Sequence, residues 1–272
     1  MKILVTGYKG FIGQNISHYL MSKGHEVEGW EFMENAVPDP SKYDWVIHLG
    51  AISDTTCTDV EKIMSQNFEN SLRLLQTCDT MGTNLQYASS ASVYGPTTHF
   101  TEDGDLLPQS PYAWSKYLFD RFVNQHIKDF AVTVQGFRYF NVYGPHEDHK
   151  GNQASPFTKF TKQAKENKII EVFEHSEDYK RDFVCVDDIC RIHEKMLSVD
   201  KTGIWNIGTG IPVSFETVAQ SIAKKHNAEI KYIPMPDKLK GQYQKFTKAD
   251  LTKLNSVIDH KFITIEDYIN GS

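Results

Sequence analysis

The sequence predicts an α/β fold, a doubly wound parallel sheet with a small α/β lobe. Three observations carry this: a strand running into a glycine turn and helix at the N-terminus, a repeated alternation of apolar β-type runs with helix-period segments, and a loss of that rhythm beyond Pro145. Residues 2–6, KILVT, form an apolar run of the buried-strand kind. GYKGFIG then supplies Gly7, Gly10 and Gly13, and Phe11, Ile12, Ile16, Tyr19 and Leu20 follow at helical spacing. Gly24 stops that helix, and HEVEGWE reads as a second strand closing at Glu31. Residues 32–44 carry Pro38 and Pro40 without helical periodicity and are too few for a further strand plus crossover helix, so the sheet is expected to be shortened after its second strand. The rhythm resumes with WVIHL, then a helix over about 58–78 in which Thr58 and Glu61 fit a capping box, then the strand LQYASS. Ser110 and Pro111 suit the cap and first position of a helix reaching about Ile127, and AVTVQGFRYF is a buried β run. Further on come a helix near 157–165, the strand IIEVF, and the returning strands DFVCV and IWNIG with a helix over 187–197 between them. The expected organisation is a dinucleotide-binding domain of residues 1–143 and 180–206, and a lobe of residues 144–179 and 207–272.

Composition narrows the function. The chain has 272 residues, 40% hydrophobic and 24% charged, which excludes disordered, collagenous and disulfide-scaffold classes. With a net charge of −6 and scattered lysines and arginines, nucleic acid is disfavoured as a partner. Cys57, Cys78, Cys185 and Cys190 form no CxxC pair and read as free thiols in a reducing compartment. No apolar run approaches the roughly 18 residues of a membrane span, and MKILV enters a turn motif directly, so a cytoplasmic protein without a membrane partner is expected.

Several residues carry chemistry. Gly7, Gly10 and Gly13 between strand and helix permit a tight turn and the approach of a dinucleotide pyrophosphate to the helix N-terminus. Glu31 is placed to accept hydrogen bonds from an adenosine ribose. Tyr112 and Lys116 stand one helical turn apart on one face, where an ammonium and a nicotinamide charge would draw the tyrosine pKa down toward proton transfer. Ser89, Ser90 and Ser92 bring hydroxyls to the end of a central strand, facing the ligand crevice. His48 reads as a packed core histidine. The run His146, Glu147, Asp148, His149 makes a poor metal site, because consecutive residues cannot all turn to one ion. A carboxylate at Glu31, with no Lys or Arg in residues 32–41, favours NAD over NADP.

TGYKGFIG, HLGA, SSASVYG, YAWSK and FRYFNVYGP resemble the extended short-chain dehydrogenase/reductases, Rossmann-fold enzymes acting on nucleotide sugars. FRYFNVYGPHEDHKGNQAS, VFEHSEDYKRDFV and YIPMPDKLKGQYQKFTKADL are most similar to the ADP-glyceromanno-heptose 6-epimerases, and the match spans nearly the whole chain. The resemblance implies tightly bound NAD or NADP, with NADP usual in the heptose epimerases, and cofactor contacts at Phe11, Ile12, Leu49, Gly50, Ala51, Ser53, Asn67, Lys116 and Val142. It implies Ser90 beside the sugar, Tyr112 as one acid/base and Lys150 as a second on the opposite side. Asn141, Asn152, Phe173, Glu174, His175, Ser176, Arg181 and Tyr243 match substrate positions, and Arg181 has the fork that suits a diphosphate. Asn152 and Lys159 stand where the heptose family has serine and histidine, and Tyr8 and Lys9 where small residues are usual. The implied activity is epimerisation of an ADP-heptose-type sugar through a transient ketone, in a homo-oligomer of a surface-sugar (lipopolysaccharide) pathway. A C4-epimerase, a ketose reductase and a catalytically idle cofactor-bound scaffold share the fold. Ala91 and Ser92, in place of an acid pair, disfavour a dehydratase.

Overall fold

The computed structural model describes residues 1–32, 38–236 and 244–271. β1 (Lys2–Thr6) is buried from Ile3 onward, as a strand covered on both faces must be. α1 (Phe11–Ser22) lays Phe11, Ile16 and Leu20 against the sheet and ends where Gly24, at φ +83°, turns the chain. β2 (Glu26–Trp30) pairs with one side of β1, and β3 (Trp45–His48) with the other, both parallel. Between β2 and β3 the described residues hold a 3-10 turn at Pro40–Lys42, capped by the Asp39 carboxylate. They contain neither the extra strand nor the crossover helix, so the sheet is shortened as the sequence predicts, and β2 is its edge.

The segment expected as one helix is three. α2 (Val60–Ile63) passes through a π-helical stretch, Met64–Glu69, into α3 (Asn70–Met81). Its cap is Asp59, whose carboxylate accepts the Lys62 N–H at 3.0 Å, rather than Thr58. β4 (Asn84–Ser90) follows, and α4 (Pro111–Gln125) begins as the sequence indicates, with the Ser110 hydroxyl accepting the Ala113 N–H at 3.2 Å. β5 (Val134–Tyr139) and β9 (Gly203–Ile207) complete a parallel six-stranded sheet of order β2-β1-β3-β4-β5-β9. One face is covered by α3 and α4 through Leu74, Leu75, Phe119 and Val123. The other is covered by α1 and by α6 (Val186–Met196) through Ile16, Leu20, Ile189 and Ile192.

Of the two later strands, β9 alone returns to this sheet. β8 (Lys180–Cys185) lies between β6 (Asn141–Tyr143) and β10 (Pro212–Ser214) in a three-stranded sheet. α5 (Pro156–Asn167), β7 (Ile169–Phe173), α7 (Phe215–His226), β11 (Glu229–Ile233) and α9 (Ile265–Gly271) surround it, with β7 and β11 a parallel pair. Their core joins Tyr143, Ile170, Phe183, Phe215 and Ile222, separate from the main sheet's clusters. α8 (Thr252–Asn255) sends Leu254 back against the main sheet.

Candidate active site

The reversal of strand order between β1 and β3 opens a crevice at their carboxyl ends, the usual ligand position in such sheets. The glycines there divide by role. A Cβ at Gly7, itself at φ +70°, would stand 2.6 Å from the Gly50 nitrogen, and one at Gly13 would stand 2.0 Å from the Gly7 oxygen. These two positions are fixed by backbone packing. At Gly10 the nearest atom to such a Cβ is 3.2 Å away, so its bareness leaves room at the helix N-terminus. Phe11 and Ile12 open α1, and both pack into the core beneath the turn. Tyr8 leaves the turn for β2, where its ring fills the space a side chain would take at Gly29.

A cleft of about 630 Å³ runs from this turn, lined by Thr6, Gly7, Trp30, Glu31, Gly50 and Ala51. The Glu31 carboxylate accepts the Lys9 N–H at 2.7 Å, tying the end of β2 to the glycine turn. Lys62 and Arg73, from α2 and α3, line the same cleft. Neither lies in residues 32–41, where the sequence offers no basic residue.

The loop after β3 is held by a directional chain of neutral groups. The Gly50 N–H donates to Thr6 Oγ1 at 3.3 Å, and Thr6 donates to His48 Nδ1 at 2.7 Å. His48 Nε2 donates to Ser71 Oγ at 2.8 Å, and Ser71 donates to the Asn67 carbonyl at 2.7 Å. These directions follow from the donors already committed at Gly50 and Ser71. Burial pushes the His48 ring down to about 3, and Lys116 adds to the effect, so the ring is neutral as the chain requires. Asn67 closes the circuit: its Oδ1 accepts the Ile52 N–H at 2.8 Å, and its Nδ2 donates to the Ile52 carbonyl at 3.0 Å. Asn67 lies in the π-helical stretch, an irregularity frequent at functional sites. Leu49 is half-buried and Ser53 is exposed on the same loop.

Ser90 ends β4, and Tyr112 opens α4 beside it. Desolvation pushes the Tyr112 hydroxyl above its ordinary value, against a hydrogen bond with Ser90 that acts downward. The expected lowering by Lys116 is not found. The ammonium donates to the Ala88 carbonyl at 2.9 Å and sits 6.0 Å from the Tyr112 ring centre. Buried, Lys116 is pushed down to about 8, with Asp120 opposing that shift.

Asp120, one helical turn beyond Lys116, is fully buried and pairs with Arg138 Nε at 2.8 Å. It also accepts Tyr87 at 3.0 Å and Ser89 at 2.9 Å, so Ser89 supports the helix while Ser90 meets the tyrosine. The sequence reading missed Asp120. Its signal was the same four-residue spacing that singled out Lys116.

Lys150 lies on a 3-10 segment, Asp148–Gln153, with its ammonium 5.3 Å from the Phe11 ring centre. Of its neighbours, Glu147 is buried and turned into the protein, and His146 lies 6.0 Å from the His18 ring, so the run does not converge on a metal. Asn141 and Val142 sit on β6, half-buried. A second cleft of about 250 Å³ gathers Lys159, Phe173, Ser176, Tyr179 and Phe215. Glu174 and His175 instead line a separate shallow groove with Glu177, Glu216 and Tyr232, because His175 turns the chain at φ +63°. Arg181 is buried on β8, 5.4 Å from the Phe215 ring centre, and donates to the carbonyls of Lys180 and Gln244. Tyr243 and the side chain of Asn152 lie outside the described residues.

Residues 3–208 match the model of the NAD dependent epimerase/dehydratase family. The chain belongs to that family. Among solved structures, the Helicobacter pylori ADP-L-glycero-D-manno-heptose-6-epimerase is 27% identical at a TM-score of 0.88, covering 99% of this chain and 94% of that one. The UDP-N-acetylglucosamine 4-epimerase of Methanobrevibacter ruminantium is 21% identical at 0.87, covering 99% and 97%. A UDP-glucose 4-epimerase of Thermotoga maritima is 23% identical at 0.86, covering 99% and 96%. The protein is thus an NAD(P)-dependent member of the nucleotide-sugar epimerase/dehydratase family, with the Rossmann-type sheet of that family. Among the described residues no helix is long and apolar enough to cross a membrane.

Proposed function

We propose that the protein is an ADP-glycero-manno-heptose 6-epimerase, inverting a carbinol carbon of a nucleotide-diphosphate sugar. The observation that carries this reading is the pair of separately mounted proton carriers, Tyr112 on α4 beside Ser90, and Lys150 on the loop after β6 against Phe11. Inversion through a ketone needs the hydroxyl proton taken from the carbinol oxygen on one side and returned to it from the other, while the hydride leaves one face of the carbon and re-enters at the opposite face. The bare backbone at Gly10 and the pinned loop at Gly50 fit a dinucleotide, which Gly7, Glu31, Asn67 and Lys116 would help to hold. When bound it supplies a hydride acceptor and donor. The chain's own groups do the rest. Ser90 holds the sugar oxygen, Tyr112 moves the proton on one side, and Lys150, with its ammonium destabilised by burial, moves it on the other. Lys159, Phe173, Ser176 and Arg181 would take the nucleotide end. Ala91 and Ser92, in the turn after β4, provide no acid pair for dehydration.

Turnover of a nucleotide-sugar panel, read by NMR for inversion, tests the reading. ADP-heptose should invert, and Lys116→Met should lose bound cofactor along with activity. Retention of near-wild-type epimerisation by Lys150→Met would make a C4-epimerase with one tyrosine base the better reading. NAD is the proposed cofactor on the strength of Glu31, in a cleft that Lys62 and Arg73 also line. Mass spectrometry of released nucleotide decides, with predominant NADP overturning it. A cytoplasmic homo-oligomer completes the proposal, divided into the cofactor domain and lobe given above except that β6 and β8, paired with β10, go with the lobe. Light scattering of the purified chain reads the assembly.

A further inference from the structure

Glu147 belongs to the run that the sequence marks as a poor metal site, and it is 1% exposed. Its carboxylate collects four donors: the Gly144 N–H at 3.0 Å, the Ser155 N–H at 2.6 Å, and the hydroxyls of Ser155 and Thr158, both at 2.9 Å. Gly144 lies just after β6, while Ser155 and Thr158 cap and open α5, so one side chain cinches both ends of the loop. Its carbonyl also accepts the Lys150 N–H at 2.9 Å. We propose that Glu147 is the positioning residue of Lys150, fixing its loop and supplying the counter-charge against which its ammonium is held. The inference rests on the proposed reading insofar as Lys150 is a base.

A buried carboxylate is a costly way to tie a loop, since neutral groups such as Asn67 do so elsewhere in this molecule. The charge is useful where a cation must sit nearby. Burial lowers the proton affinity of Lys150, and Glu147 acts against that. The same two influences act on Lys159, one turn into α5. α1 presents the uncharged Phe11 ring to Lys150, so Glu147 is the charge through which its proton affinity is set.

The test uses the full-length protein with isotope-labelled lysine side chains, titrated by NMR without substrate. In Glu147→Gln, Lys150 and Lys159 should both titrate lower, by about half a pH unit or more. Thr158→Val removes one donor and leaves the carboxylate less offset, so Lys150 should titrate higher. Should Glu147→Gln fail to fold, Thr158→Val decides alone. On an inverted sugar, Glu147→Gln should lower kcat with KM and bound cofactor unchanged, and move the Lys150 limb of the pH profile downward. Unchanged Lys150 titration in the folded variants overturns the inference. A shifted Lys150 in a protein that inverts no sugar on the panel sustains it and overturns the functional reading instead.

Discussion

The loops after β3 and β6 meet where Gln153 donates to the Asp54 carboxylate at 3.0 Å, and they are fastened by opposite chemistry. The loop after β3 hangs on neutral groups, Thr6, His48, Ser71 and the Asn67 amide, each both giving and receiving. The loop after β6 hangs on one carboxylate, Glu147, which only accepts. The first presents backbone toward a place where a charged dinucleotide would lie, and the second carries an ammonium. A neutral fastening leaves the local field to the ligand, whereas a charged one shapes the group it carries.

The largest effect should come from the two proposed proton carriers. Tyr112→Phe and Lys150→Met should each lower epimerisation by roughly a thousandfold, within the range for positioned acids and bases, with circular dichroism unchanged. A much smaller loss for one of them would mean that its side of the cleft carries no proton transfer. Next comes the neutral fastening. Asn67→Ala strands the N–H and carbonyl of Ile52, which should cost about 2–3 kcal/mol of stability and reduce retained cofactor, whereas Thr158→Val should cost about 1 kcal/mol. Equal losses in urea titrations would erase the distinction between the loops.

The last effect concerns acid. His48 is neutral in the fold and pushed down to about 3 from an ordinary 6.5, so the unfolded chain binds the extra proton between those values. The stability this contributes is present above pH 6.5 and is lost as pH falls, at up to about 1.4 kcal/mol per pH unit. His193, buried and likewise lowered to about 3, acts with the same sign. His48→Gln should therefore be less stable than the parent at pH 7 but show a shallower decline toward pH 5. An unaltered slope in denaturant titrations at pH 5, 6 and 7 would show that the His48 chain can accept a proton without opening.

The order of elements could be read from sequence because it rests on local periodicity and turn residues: Gly24, Ser110 and Pro111 mark ends that the structure repeats. What escaped was long-range. Nothing in DFVCV distinguishes a strand of the main sheet from one paired with β6 and β10, since both are buried. The π-helical stretch was hidden because a wider turn leaves the apolar spacing almost helical. Ser90, Tyr112 and Lys116, which sequence sets on one strand end and one helix face, lie together in the structure. Asp120, Glu147 and Asp182 were not, because a buried carboxylate looks like a surface one until its donors are seen. Asp182 illustrates this on β8, where it gathers the N–H groups of Thr209, Gly210 and Ala249 at 2.6, 2.8 and 2.8 Å. The basic residues Lys62 and Arg73 of the cleft beside Glu31 were missed because they come from helices, not from the segment after β2.

That short segment has a further effect, on how molecules meet. Among the described residues no strand lies beyond β2, and an open sheet edge is a template on which a foreign strand could align. The strand is EVEGW, and its two glutamates, Glu26 and Glu28, are exposed along the rim. Two such rims sliding together would bring carboxylate against carboxylate, so a sheet trimmed by one strand keeps its open border from becoming an adhesive one.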